Sequence, residues 1–374
     1  MIMKDTMGII LTGTEKIPPI TDHRSVAALP FAGRYRIIDF VLSNMASAGI
    51  TNIGVATKNT YSSLMDHIKS GKPWDLDRKY QGLSVLPPNL WENSHRSLRG
   101  NIDILAGIRG FLKKSHQTYV ILSLDTHIYN LDFKALVKAH IANQADITVV
   151  YHNMKGAPES ELSRFNLLDI DDQNQVIDIE SHPYYPKTTN AAMDIYVMEK
   201  ALLESIIDEC LARGDHDFVT DALSKKLSGM RIFGHEYTGY TDRIDSLKSY
   251  YINNMAFLQD EVRKEMLNNS RRPIYTKNKD LPPARYGDSA VVENSLISDG
   301  CIIEGTVQNC ILSRGVKIAK GAVVKNSIIM QDSVIDSDVS LDYVVFDKEV
   351  HITKGRCLLG QDSYPLAIAK HTVI

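Results

Sequence analysis

Cysteine is scarce and dispersed in this chain of 374 residues. Cys210, Cys301, Cys310 and Cys357 form no C-x-x-C pair, so neither a disulfide framework nor a zinc site of that kind is indicated. No run of 18 apolar residues occurs, and no transmembrane helix is expected. The apolar stretch in the opening segment MIMKDTMGIILTG is short and lacks a small-residue cleavage site, so a signal peptide is not expected either. A large excess of charge of one sign is also missing. Lys plus Arg number 42 and Asp plus Glu 45, a net −3. A nucleic-acid binder would show a basic patch or stripe, and this balance argues against one. Together these absences point to a soluble cytoplasmic protein that contacts neither nucleic acid nor membrane.

What is present is ordinary in amount and informative in order. The apolar content of 44% and charged content of 23% are those of a globular protein. The length allows two domains, perhaps three, with a core that needs no staples. From residue 1 to about 260, short apolar runs alternate with helical patterns. Met7–Leu11, Ile53–Thr57, Tyr119–Ser123 and Asp146–Tyr151 read as strands. Ile37 to Ala48 reads as a helix with Ile38, Val41, Leu42 and Met45 on one face, ended by Gly49 where a left-handed cap is wanted. Phe133–Ala142 is a second helix. This βαβα order, with strands apolar throughout, implies an α/β domain around a mostly parallel or mixed sheet.

Residues 261–285 are polar and punctuated by Pro273, Pro282 and Pro283, as expected of a linker. From 286 to 374 the period changes. Ile303-Glu304-Gly305-Thr306-Val307, Ile318-Ala319-Lys320-Gly321-Ala322 and Ile335-Asp336-Ser337-Asp338-Val339 repeat one form at nearly three hexads. Gly300, Gly305, Gly315 and Gly321 mark corners. Hexapeptide periodicity predicts a parallel β-helix that stacks its aliphatic residues coil on coil; an antiparallel meander is the alternative. The expected division is therefore 1–260, a linker at 261–285, and a β-helix at 286–374.

The run Pro30-Phe31-Ala32-Gly33-Arg34-Tyr35-Arg36-Ile37-Ile38-Asp39-Phe40, followed by Leu42-Ser43-Asn44, closely resembles a segment of the bacterial ADP-glucose pyrophosphorylases (glucose-1-phosphate adenylyltransferases). Gly71-Lys72-Pro73-Trp74-Asp75-Leu76-Asp77-Arg78, Val85-Leu86-Pro87-Pro88, Ser163-Arg164-Phe165 and His216-Asp217-Phe218 with Asp221 are similar to further segments of that family. The likeness runs nearly end to end. It implies a Rossmann-like (GT-A-like) nucleotidyltransferase domain followed by a left-handed β-helix. It also implies a reaction in which ATP and glucose 1-phosphate give ADP-glucose and pyrophosphate with Mg²⁺. That chemistry needs a Gly-rich loop that admits phosphate to backbone N–H groups, cations that offset phosphate charge, and carboxylates that hold the metal.

Against the family pattern, each of these parts is altered. The phosphate loop is two residues shorter and retains one glycine, Gly13. Glu15 adds negative charge there, and Lys16 replaces an Arg, losing its forked phosphate contact. Val26 stands at a Lys position. One extra residue between Ser123 and His127 leaves Thr126 at the metal Asp with Asp125 adjacent, and a one-residue shift in an extended strand reverses the face. Arg243 stands at the second metal Asp with Asp242 adjacent. His182 replaces the Lys that grips the sugar phosphate and is mostly neutral at pH 7. Asp194 replaces a Gly beside that phosphate. Arg96, Arg99 and Gly100 fall in the nucleotide-base region, where Asn101 replaces a Thr. Arg34 and Arg36 lie where the family has basic effector contacts.

A retained scaffold with chemistry lost at five places most resembles the GlgD-type subunits of the family. The resemblance implies a catalytically degenerate regulatory chain in glycogen biosynthesis, paired with a catalytic homologue in a mixed tetramer, or self-associated. Two other readings remain at this level. One is an active adenylyltransferase with a rearranged site, using Lys16, Asp125, Asp242 and His182, with Mg²⁺ held by Asp125 and Asp242. The other is an effector module that holds a sugar phosphate or nucleotide without turnover, through Arg34 and Arg36 or through Gly13, Arg99, Gly100, His182 and Asp194. Hexapeptide β-helices also serve acyltransferases, which need an exposed catalytic His between coils; within the coils of this chain that residue is His351.

Overall fold

The structure, a computed structural model, describes residues 2–12, 15–58, 60–87 and 99–374. Its first half is built on a nine-stranded mixed sheet. Thr6–Leu11 lies at the centre, parallel to Asn52–Ala56 on one side and to Tyr119–Leu124 on the other. Gly82–Leu86 continues the parallel half to the edge. On the other side Asn190–Glu199 runs antiparallel to Tyr119–Leu124, to Ile147–Asn153 and to Asn166–Ile170. Thr6–Leu11 and Asn52–Ala56 are buried along their whole length, as strands covered on both faces must be. Two helices fall where periodicity placed them, Ile37–Ala48 and Phe133–Ala142. The first ends at Gly49 with φ +88°, a conformation that costs little without a Cβ.

The second half is a β-helix of three parallel five-stranded sheets. The aliphatic residues of the repeat stack in register: Ile303 on Ile318, Ile318 on Ile335, Ile335 on Ile352. All four are essentially without solvent contact, so each coil buries its neighbour's apolar face. Cys210, Cys301 and Cys310 are buried, but Cys357 is exposed. It pairs in register with the exposed Ser340, an outward-facing position, while the next residue, Leu358, pairs with the buried Leu341.

Residues 261–285 are not extended throughout. Asp260–Met266 forms a helix whose Val262 and Met266 enter the core between the two halves. Only the residues after 266 run without regular structure until Arg285–Tyr286. That core joins Phe31, Phe40, Tyr250 and Phe257 to Ile311, Ile328, Met330 and Val345. Phe31 meets Phe257 edge to face at 5.0 Å, a preferred aromatic geometry. A buried ion pair crosses the same junction: Arg24 reaches Asp347 at 2.8 Å, with side chains 4% and 2% exposed.

Candidate functional site

The C-terminal ends of the parallel strands, where α/β sheets place ligands, collect most of the residues singled out in the sequence. Their placement follows from one short strand. Asp242–Arg243 pairs antiparallel with His127–Ile128, Arg243 opposite His127. Ile244 is fully buried and its N–H donates to the Thr126 carbonyl at 2.7 Å. Side chains alternate along an extended segment, so anchoring Ile244 inward sends Arg243 and Asp245 to the opposite face. Asp242 falls on the inner face, where its Oδ2 accepts from Asn253 at 2.9 Å and its Oδ1 from the Arg243 N–H at 2.7 Å. Burial raises its carboxyl above the usual range, only partly offset by those hydrogen bonds. The one-residue offset seen in the sequence thus has a physical consequence: the guanidinium, not the carboxylate, faces Glu15 and Arg164.

Arg243 is fixed from three sides. It meets Glu15 at 2.9 Å, donates to the Arg164 carbonyl at 2.7 Å, and has Asp245 at 4.0 Å. Arg164 is itself clasped by both oxygens of Asp245, at 3.0 and 2.5 Å, and both guanidiniums approach the Phe165 ring. Glu15 and Arg243, read separately as two lost features, are one ion pair. His127 is buried beside Phe165. Burial first, then Arg243 and Arg164, hold its imidazole well below the ordinary value, so it is neutral scaffold.

Two of the other replaced positions, Val26 and Asp194, are buried. Val26 has no solvent contact, in the short 3₁₀ turn Val26–Ala28. Asp194 has φ +53° beside a register shift in Asn190–Glu199. It is 6% exposed and accepts from the Tyr196 hydroxyl at 3.2 Å. Burial raises its carboxyl, with Arg243 offsetting part of that. His182 and Lys16 are exposed. The expectation of an extended strand through Asp125 is corrected: Asp125 and Thr126 form a turn between Tyr119–Leu124 and His127–Ile128. The inserted residue is absorbed there, Thr126 approaches His127 Nδ1 at 3.3 Å, and Asp125 Oδ2 accepts from the Ala27 N–H at 3.1 Å.

The residues at this place do not fit a magnesium ion. That ion wants several oxygen ligands in near-octahedral order. Both oxygens of Asp242 are engaged, a guanidinium follows it, and among the described residues no group of three or more His, Cys, Asp or Glu side chains is placed so that it could hold a metal ion. In the base region, Gly13 and Arg96 lie outside the described residues. Arg99 is exposed, with its guanidinium 3.3 Å from His216. Gly100 has a packing reason: a Cβ there would sit 2.2 Å from the His216 carbonyl oxygen.

Arg34 and Arg36 are elsewhere, in a cleft of about 180 Å³ between the two halves of the molecule. Arg36 is anchored by the Ser63 carbonyl at 2.8 Å, and its N–H is capped by Asp39, which also meets His67 at 2.5 Å. Five further cations line this cleft: Lys277 and Lys279 from the connecting stretch, Arg314, Lys348 and Lys370 from the β-helix. Two carboxylates, Asp66 and Glu349, face them, and these pair with Lys277 at 3.3 Å and Lys370 at 3.6 Å. Lys279 donates to the Gln331 amide oxygen at 3.0 Å. Arg314 is 7% exposed; it reaches the Lys277 carbonyl, and its buried Nε has no hydrogen-bond partner among the described residues. A buried orphan donor of this kind is rare. Sequence reasoning found Arg34 and Arg36 and missed the five others, which come from segments hundreds of residues away.

Residues 7–241 match the family model for nucleotidyl transferases, and residues 282–364 match a GlmU-like C-terminal hexapeptide model. A glucose-1-phosphate adenylyltransferase of Clostridium perfringens strain SM101 is 31% identical over 379 residues, covering 100% of this chain and 96% of the relative. One from Thermosipho africanus is 35% identical over 328 residues, 86% of this chain and 78% of that one. The glycogen biosynthesis protein GlgD of Bacillus subtilis is 34% identical over 381 residues, covering 100% and 98%. Among the described residues, no helix is long and apolar enough to cross a membrane.

Proposed function

The chain belongs to the glucose-1-phosphate adenylyltransferase family of nucleotidyl transferases, and from that premise we propose that it serves glycogen biosynthesis as a catalytically degenerate, regulatory subunit. It forms little or no ADP-glucose alone. It assembles with a catalytic homologue, as a mixed tetramer, and raises that partner's turnover or substrate affinity. The observation that carries this reading is the Glu15–Arg243 ion pair. It puts a carboxylate where triphosphate would lie and consumes the guanidinium that stands where a metal ligand belongs. Anionic substrates must then displace an internal partner as well as lose their own hydration, which weakens binding.

The test is to purify the chain alone and with a catalytic relative, and to follow ADP-glucose formation and assembly together. The reading predicts a mixed complex with faster turnover or lower KM than the catalytic chain alone. ADP-glucose synthesis by this chain alone at the rate of its catalytic relative overturns it.

The cleft supports a second role for the same chain, binding an anionic effector of the sugar-phosphate or nucleotide class. Arg34, Arg36, Lys279, Arg314 and Lys348 converge there with no carboxylate within ion-pair distance among the described residues. Such groups are suited to phosphate oxygens. Heat of binding for glucose 1-phosphate, fructose 1,6-bisphosphate or ATP that disappears in an Arg36→Ala, Arg314→Ala variant supports this role; no heat with any of them refutes it.

A further inference from the structure

The edge of the sheet opposite the strand-end site holds a cavity of about 580 Å³ that neither role above uses. It lies where Tyr119–Leu124 begins, Asn190–Glu199 ends and the helix Phe133–Ala142 runs out. Ile141, Leu202, Met230 and the Tyr119 ring give it apolar walls. Apolar walls with a few convergent polar groups, at this volume, are the usual form of a small-molecule site.

The polar groups indicate which ligand. His140 is only 2% exposed, yet it lines the cavity. Its Nδ1 lies 2.9 Å from Thr148 Oγ1, and its ring meets Tyr119 edge to face at 5.8 Å. The other nitrogen, Nε2, has no hydrogen-bond partner among the described residues and is not sealed off. A polar atom so placed gains from a ligand that supplies the missing hydrogen bond. Burial lowers the imidazole to about 4, with Asp146 offsetting part of this. The ring is therefore neutral at pH 7, and one of its nitrogens is an acceptor. With Nδ1–H donating to Thr148, that acceptor is Nε2.

The surrounding charge is negative on balance. Arg231 is committed to Asp146: its backbone N–H donates to Oδ2 at 2.8 Å and its guanidinium to Oδ1 at 3.4 Å. Glu199 also lines the cavity, and among the described residues no cation lies within ion-pair distance of it. The C-terminal end of Phe133–Ala142 adds the negative pole of a helix. A phosphate would be repelled here, which separates this cavity from the cleft between the two halves.

We propose that this cavity binds a small organic cation, a primary ammonium carried on an apolar body. Glu199, the helix end and the Tyr119 ring answer its charge, His140 Nε2 accepts one of its N–H groups, and Ile141 and Leu202 pack against the body. Neither the regulatory nor the effector role bears on this binding, which makes and breaks no covalent bond.

Benzylammonium is the probe, with benzyl alcohol and benzoate as its neutral and anionic counterparts. The full chain, carrying isotope-labelled histidine, is titrated with each at millimolar concentrations. The imidazole nitrogens of His140, assigned by their loss in His140→Gln, are followed by NMR. Benzylammonium is expected to shift Nε2 saturably, benzyl alcohol to bind about tenfold more weakly, and benzoate not to bind. Glu199→Gln is expected to weaken benzylammonium about fivefold and to leave benzyl alcohol unchanged. Leu202→Trp, which fills the cavity from its rim, is expected to abolish both. Absence of a saturable His140 shift with benzylammonium overturns the proposal. Benzyl alcohol binding as tightly as the ammonium, or benzoate binding at all, overturns it too, because charge would then not select the ligand. His140 shifts that persist in Leu202→Trp place the ligand elsewhere and also overturn it. The three probes on the wild-type chain decide the matter even where a variant folds poorly.

Discussion

At the strand ends, Arg243 lies 2.9 Å from Glu15 and Arg164 is clasped by Asp245. In the cleft between the two halves, Lys279 rests on an amide and Arg314 on a backbone carbonyl. Both places hold guanidiniums, yet only those at the strand ends are paired with carboxylates among the described residues. Charge satisfied by an internal carboxylate must be unpaired before it can hold a phosphate; charge left on neutral acceptors gains from one. Counting cations does not distinguish the two regions. What distinguishes them is which cations the carboxylates meet: Arg243 and Arg164 are paired with Glu15 and Asp245, whereas in the cleft Asp66 and Glu349 pair with Lys277 and Lys370.

Four experiments bear on this contrast. The largest effect is expected at the junction behind the cleft. Arg24→Ala leaves Asp347 buried and unpaired, costing about 3–5 kcal/mol, read as a lower denaturation midpoint. Arg243→Met breaks a more accessible pair, with side chains 13% and 30% exposed, and is expected to cost about 1 kcal/mol or less. Equal losses would erase the distinction between the two sites. Next, Val26→Lys restores the family's cation in name only. The site has no solvent contact, so an ammonium there is expected to destabilise the chain by about 3 kcal/mol or more without conferring ATP-dependent thermal stabilisation. A stable, ATP-binding variant would show that the pocket opens more easily than its packing implies.

A smaller effect concerns pH. Burial raises Asp242 above its usual value. A carboxyl whose folded pKa is raised favours the native state when protonated, and that contribution is lost as pH rises from the unfolded value near 4 through the folded one. Asp242→Asn is therefore expected to match the wild type in denaturant stability near pH 4 and to exceed it at neutral pH. A loss at neutral pH would mean that the carboxylate charge stabilises the fold. The smallest expectation is a null one. Millimolar Mg²⁺ should leave the melting temperature within error, because a ligand stabilises only in proportion to its binding; a rise of several degrees would show a cation site that Arg243 does not prevent.

Much of the architecture was legible beforehand. Helical and hexad periodicities are local properties, so Phe133–Ala142 and the stack of Ile303, Ile318 and Ile335 follow from the chain itself. The GlgD-type likeness drawn from Pro30–Asn44 and the altered positions agrees with a relative of that name over the whole chain. The one-residue offset at Asp242 and Arg243 was also readable, because alternation along a strand fixes which of two neighbours faces a pocket. At Asp125 the same rule did not apply: two adjacent residues turned instead of extending, and a turn depends on what packs around it.

The sequence alone determined which side chains stand at the positions the resemblance marks, Val26, Thr126, His182 and Arg243, since residue identity does not depend on the fold. It could not determine where the remaining charges meet. Glu15 and Arg243 are 228 residues apart, and the cleft draws Arg36, Lys279, Arg314 and Lys348 from separate segments. Electrostatic interaction depends on distance in space and on burial, and both are set only when the β-helix docks against the nucleotidyltransferase half through Phe31, Tyr250, Ile311 and the Arg24–Asp347 pair.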